Sequence, residues 1–172
     1  MDLNSPAAFW AAYTVCNFLA LTALVVCLEK PLLARLTYSL FFGAASLLTV
    51  YLAFFHPDVY LGLARYSLVP IYESFILGWL SQHTQGFILA LATLQLWVAL
   101  SIWARGWIFR AGVTAGILLL VLLLPLGLGA AFPAPLNMAI GLRLLLGRQS
   151  AEYLWPSFFE KYLKPKNRLS VY

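Results

Sequence analysis

HPDVYLGLARYSLVPIYESFILGWLSQHTQ, residues 56–85, is the place where an otherwise lipid-like chain is repeatedly interrupted. Pro57-Asp58 reads as a helix start, and Asp58 to Val69 suits a short helix that must end or kink before Pro70, which has no N–H to continue it. Ile71 to Leu80 adds about 15 Å of helix, half a bilayer. Neither half spans alone. Together they fit one kinked span, two short interfacial helices or a re-entrant element buried against a bundle, and hydropathy leaves all three open.

The surroundings set the class. With 63% hydrophobic residues, 10% charged residues and a mean hydropathy of +0.86, the chain lacks the polar surface that keeps a soluble domain dispersed. Its 172 residues accommodate about four to six spans of about 20 residues each, which leaves short loops and a single transmembrane domain, 1–172. The expected fold is all-α: a polytopic transmembrane helical bundle of about five spans, with a short helical or re-entrant segment between spans two and three.

Working outward toward the N-terminus, span two runs from Ala34 to Phe55, closed by His56-Pro57, with Arg35 at its start placed to snorkel. Ser39, Gly43 and Ser46 form a small-residue face suited to helix contact. Span one runs from Ala7 to Leu28, after Ser5-Pro6 as cap and first helical proline, and Glu29-Lys30-Pro31 ends it. Phe9, Trp10 and Tyr13 fit an interfacial belt, and Asn17 an interhelical hydrogen bond. Met1-Asp2-Leu3-Asn4 lacks the basic region of a cleaved signal. Cys16 and Cys27 stand about 16 Å apart on one helix, too far to bridge, and read as buried small apolar residues.

Toward the C-terminus, span three runs from Thr84 to Ala104 and holds Gln95 near mid-membrane, where an amide needs a partner or a wet cavity. The short basic loop Arg105 to Arg110 makes spans three and four antiparallel neighbours. Span four, Ala111 to Ala131, carries Gly112-x-x-x-Gly116, a common packing motif and weak support for dimerisation, and a kink is expected at Pro125, Gly127 and Gly129. After the Phe132 to Pro135 turn, Leu136 to Trp155 is long enough for a fifth span.

Six of the eleven basic residues follow residue 140. With five spans, every Lys and Arg outside the spans except Arg65 falls on one side, so the +5 net charge is a topology pattern and not a nucleic-acid footprint. Positive-inside then puts the N-terminus outside and the C-terminus in the cytoplasm, as for a protein of the bacterial cytoplasmic membrane. The tail 149–172 mixes Tyr153, Trp155, Phe158, Phe159 and Tyr162 with basic residues, as a cytoplasmic interfacial segment would, or as plain topology determinants would.

Catalytic candidates are sparse. The chain has two histidines, two cysteines and six acidic residues, with no phosphate loop, zinc helix or nucleophile elbow. His56, Asp58, Glu73 and His83 bracket the central stretch without the spacing of a metal motif. Glu73 is the sharpest ligand-binding candidate, because a carboxylate inside a membrane must pair or take up a proton, whereas a hydrated one is idle. Tyr66 and Tyr72, with Tyr60, would offer hydroxyls to the polar head of a lipophilic ligand. Gln95 and Arg143 complete the candidate set.

The layout from Arg35 onward resembles the DoxX-like membrane proteins: Pro57, Tyr60, Pro70 and Tyr72 in a partly apolar excursion, Gln95 in a helix followed by Arg105 and Arg110, and Asn137 opening a last helix. The chain departs from that pattern in its extra leading span and in Ala53-Phe54-Phe55-His56, where the family has Gly-x-x-Lys. The resemblance implies a quinone-linked subunit of a membrane oxidoreductase. From the residues themselves the leading reading is a non-catalytic accessory or assembly subunit in the lipid bilayer, packed against other membrane protein subunits, with no cofactor of its own. A quinone- or lipid-binding subunit with a lipophilic small molecule between the Tyr66 to Glu73 stretch and Gln95 is the second reading, and a small transporter the third.

Overall fold

The computed structural model describes residues 6–147, all helix and connections, with no strand among them. α1 (Pro6–Glu29) and α2 (Pro31–Phe55) are joined by Lys30 alone. Pro31 occupies the first turn of α2, where its missing N–H costs nothing, so one proline both stops α1 and starts its antiparallel neighbour. α3 (Asp58–Gly62) tightens into a 3₁₀ turn at Leu63–Tyr66. Ser67 and Val69 are extended, as the residue before a proline prefers, and the Leu68 N–H donates to the Pro125 carbonyl at 2.8 Å.

Pro70 then opens a continuous 32-residue helical stretch to Ser101. It comprises α4 (Pro70–Phe75), a π-helical turn (Ile76–Leu80) and α5 (Ser81–Ser101), with a kink at His83 (φ −125°, ψ 21°). Of the three arrangements open at the sequence level, the first half of the central stretch is a separate short helix, and the second half is the beginning of the third long helix. α6 (Gly106–Leu123) passes into a 3₁₀ coil at Leu124–Ala130, bent where Pro125 and Gly127 lead one to expect it. Gly127 has φ +54°, and a Cβ there would meet Leu68 Cγ at 2.9 Å, so the position requires glycine on both counts. α7 (Ala134–Gly147) follows.

Four helical stretches are long and apolar enough to cross a membrane: Trp10–Glu29 within α1, Pro31–Phe55, Pro70–Ser101 and Gly106–Ala130. α7 is a shorter apolar helix whose expected continuation to Trp155, like the interfacial tail 149–172, lies outside the described residues. Leucines, phenylalanines and tryptophans cover the exterior, the surface that a hydrocarbon solvent calls for. The chain is an integral membrane protein with an all-α bundle fold.

The interior is organised by a seam on α2. Its buried residues Arg35, Ser39, Phe42, Ser46, Thr49 and Ala53 recur at alternating spacings of four and three, the repeat that keeps one face against a partner helix. Ser39 donates to the Ala99 carbonyl at 2.9 Å and Ser46 to that of Ala92 at 2.8 Å, fixing an antiparallel register with α5. Phe42, not Gly43, takes the place between them, since a Cβ on Gly43 would meet nothing within 4 Å. On α6, a Cβ on Gly112 would fall 1.5 Å from Ser101 Oγ, and one on Gly116 3.1–3.3 Å from Leu142, Val98 and Phe42. The small-residue motif is thus spent on packing within the chain, at the point where α2, α5, α6 and α7 converge.

α7 wedges between α1 and α6. Tyr13 and Asn17 of α1 donate to the Phe132 and Ala131 carbonyls at 2.5 and 3.1 Å, and Cys27 and Tyr38 to those of Gly141 and Met138 at 3.3 and 3.2 Å. Such bonds add only about 0.6 kcal/mol each in a membrane, so they specify register more than they stabilise. A second, smaller apolar cluster of Ala64, Ile76, Leu80 and Leu126 sits at the end of the bundle that α3 and α4 cover.

Candidate functional site

Between α5 and α6, under the cover formed by α3 and α4, lies a cleft of about 470 Å³, within the roughly 300–1,000 Å³ of small-molecule sites. Phe87 and Leu91 of α5 form one wall, and Leu119, Leu122 and Leu123 of α6 with Leu126 of the 3₁₀ coil the other; Tyr60, Leu63, Ile71, Tyr72, Phe75, Ile76 and Leu80 close it from above. Among the described residues its only side-chain hydroxyls are those of the two tyrosines. Tyr72 donates to the Leu122 carbonyl at 3.1 Å, where Pro125 has removed a backbone donor from the end of α6 and the tyrosine supplies another. Burial pushes the Tyr60 phenol up, with the neighbouring Thr49 hydroxyl opposing the shift, so Tyr60 keeps its proton at neutral pH.

Along the mouth of the cleft runs an aromatic ladder. Phe75 stacks on Trp79 at 5.5 Å and Trp79 on His83 at 4.8 Å, while Phe87 meets Phe75 and Trp79 edge-on at 5.8 and 5.9 Å. The four-residue steps of a helix place these rings one above another. The His83 ring also makes a hydrogen bond to the Trp79 carbonyl at 3.1 Å, one turn back.

The five sequence candidates occupy different places. Tyr72 lines the cleft. Tyr66 packs beside it, with Cβ 3.1 Å from where a Gly129 Cβ would stand, and it does not line the cavity. Glu73 is exposed in the first turn of α4. Gln95 is half-buried on α5 one turn beyond Leu91, and its Oε1 is buried without a hydrogen-bond partner. Arg143 is exposed near the end of α7, past the Cys27 and Tyr38 contacts and therefore away from the cleft. The structure brings Tyr72 to the cleft and Tyr66 to its edge, and it gathers neither Gln95 nor Arg143 with them. Among the described residues no group of three or more His, Cys, Asp and Glu side chains is arranged to hold a metal ion.

Sequence reasoning missed Arg35, whose side chain is 3% exposed. It turns inward instead of snorkelling: Nε and Nη2 donate to the Ile102 carbonyl at 3.1 and 2.7 Å, Nη2 also to that of Ala104 at 2.7 Å, and the guanidinium lies 4.7 Å over the Phe109 ring. The signal was its membership of the same four-and-three repeat as Ser39 and Ser46. Ser39 in turn accepts from the Trp103 indole N–H. This cluster holds the end of the bundle opposite the cleft.

Comparison with known protein families, with curated proteins and with solved structures finds no match to this chain.

Proposed function

We propose that this membrane protein takes up the hydrocarbon part of a bilayer amphiphile, a lipid or a quinone, in the cleft between α5 and α6. The observation that carries this reading is the cleft itself, an apolar cavity flanked by lipid-facing residues such as Ile71 and Leu122, which are 71% and 60% exposed. A ligand already dissolved in the bilayer reaches such a cavity sideways, without crossing water. The rings of Phe75, Trp79 and Phe87 give its mouth a rigid rim, and Tyr60 and Tyr72 mark the end at which a polar head belongs. This is the lipophilic-ligand function that a DoxX-like resemblance also suggests, with quinone the ligand of that case.

A second reading, an accessory subunit packed against other membrane proteins, draws on the same aromatic ladder, because Trp79 is 50% exposed and stacked between Phe75 and His83, and exposed tryptophans are common anchors in protein interfaces. The cytoplasmic membrane of a bacterium, with the N-terminus outside, is the location that the distribution of basic residues favours. Native mass spectrometry of the protein from mild detergent, with organic extraction of the bound fraction, separates the two readings. A lipid or quinone that stays with the wild type and is lost from Leu122→Trp and from Ile71→Trp, which block the cleft from opposite sides, supports the cleft. Equal amphiphile content in all three proteins, together with co-purifying subunits, would favour the accessory reading.

A further inference from the structure

Behind α3, the end of α2, α3 and the first residues of α5 border a second, open recess of about 400 Å³, lined by Asp58, Leu61, Ser81, Gln82, Thr84 and Gln85 among others, of which Asp58, Ser81, Gln82 and Gln85 are exposed. Leu80 lines the cleft and Ser81 this recess, so a single turn of helix faces an apolar cavity on one side and a polar one on another. Binding in this recess is independent of occupancy of the cleft.

The recess has a definite donor and acceptor balance. The Ser81 hydroxyl donates to the Leu77 and Gly78 carbonyls at 2.8 and 2.7 Å, and the Thr84 hydroxyl to that of Leu80 at 2.7 Å. With its hydrogen committed to the helix, each oxygen offers only lone pairs to the cavity. Asp58 adds a carboxylate, the single charged side chain among the described residues of the lining. The Gln82 and Gln85 amides bring one acceptor oxygen each beside their NH₂ groups. The wall is therefore negative and rich in acceptors, and the complementary ligand is a cation that carries several N–H donors.

We propose that this recess binds a primary ammonium group, as borne by the headgroup of an aminophospholipid or by a free amine. Its position at the start of α5, on both sides of the kink at His83 and next in sequence to His56, is that of a membrane–water boundary, where both sources are present. A quaternary ammonium has the charge without the N–H donors, which makes phosphatidylcholine the discriminating control.

The test uses the full chain in nanodiscs of equal parts phosphatidylethanolamine and phosphatidylcholine, released for native mass spectrometry. The expected result is an excess of bound phosphatidylethanolamine of about fivefold, the discrimination of one net hydrogen bond of about 1 kcal/mol. That excess is expected to vanish in Asp58→Asn and to shrink in Gln85→Leu, which keeps the carboxylate and covers the case of a poorly folded Asp58 variant. Displacement of the lipid by millimolar ethanolamine would support the same site with a free amine as its source; resistance to it would support the lipid. Equal binding of the two phospholipids with no effect of ethanolamine, or an excess untouched by both substitutions, overturns the proposal. Neither result bears on Leu122→Trp, so failure here is distinct from failure of the cleft.

Discussion

Arg35 shows how a residue that is costly in hydrocarbon becomes part of a membrane fold. An isolated buried guanidinium is expensive, yet here it faces the carbonyls of Ile102 and Ala104 at the C-terminal end of α5, where unpaired carbonyls and the negative end of the helix dipole collect. The planar fork reaches both carbonyls while its face rests on Phe109. Arg35→Met is expected to lower stability by about 2–4 kcal/mol, since it leaves those carbonyls unserved, and Arg35→Lys to recover less than half of that, because an ammonium lacks the fork. Thermal unfolding in detergent reads both, and a lysine variant as stable as the wild type would refute the bridging role. The glycines offer a graded test of packing. Gly112→Ala is expected to be the most damaging, Gly116→Ala intermediate and Gly43→Ala neutral, following the space around each. Since the Gly112 clash is with the Ser101 side chain, Ser101→Gly is expected to rescue Gly112→Ala, and non-rescue in a double-mutant cycle would place the conflict elsewhere. Part of this was legible beforehand: the composition of Ser39, Gly43 and Ser46 announced a packing face, but only the register with α5 reveals that Phe42 displaces Gly43 from it.

At the scale of the element, the stretch from Pro70 to Ser101 is where the sequence left the most open. The run Ser81 to Gln85 has the composition of a loop, yet the helix passes through it with a kink at His83, where Ser81, His83 and Thr84 bond to carbonyls three and four residues back, contacts that bend a helix without ending it. The chain breaks instead at 67–69, where Pro70 forbids continuation and Pro125 of a distant segment accepts the Leu68 N–H, a contact that hydropathy cannot see. The π-helical turn Ile76–Leu80 then shifts the face that α4 presents, turning Ile76 and Leu80 into the second apolar cluster and Tyr72 toward Leu122. Removing one residue from a π turn restores the α-helical repeat and rotates everything upstream by about 100°. Gly78 is the residue to remove, since a side chain there would meet nothing within 4 Å and its loss costs no packing. The deletion is expected to detach Tyr72 and expose the backbone of 58–66, seen as lost hydrogen-exchange protection there with protection of 86–101 retained. Unchanged protection across 58–66 would mean that the turn does not set the position of the cover.

For the whole molecule, the two ends differ in charge and in what each holds. Lys30, Arg35, Arg105 and Arg110 lie at the joints of α1 with α2 and of α5 with α6, and α7 runs antiparallel to α6, bringing Arg143 toward the same end. Arg65 alone among the described cations lies at the cleft end, with the covering α3 and α4. Among the described residues this charge asymmetry follows from the joints at Lys30 and Arg105, which are too short to carry their charges to the other end. α7 is described for 14 residues, about 21 Å of rise, less than the roughly 30 Å of hydrocarbon, yet its packing against α1 and α6 and its direction are those of a helix returning to the basic end. By the positive-inside rule, the end that holds Lys30 is expected in the cytoplasm and the end that holds Arg65 outside. Single cysteines at Lys30 and Arg65, in a background where Cys16 and Cys27 are alanine, make the prediction measurable with a membrane-impermeant maleimide. Arg65→Cys is expected to label in right-side-out vesicles and Lys30→Cys only in inverted ones. Labelling of both from one side would break the antiparallel layout, and the reverse pattern would turn the molecule over, placing the cleft and the ammonium recess in the cytoplasmic leaflet.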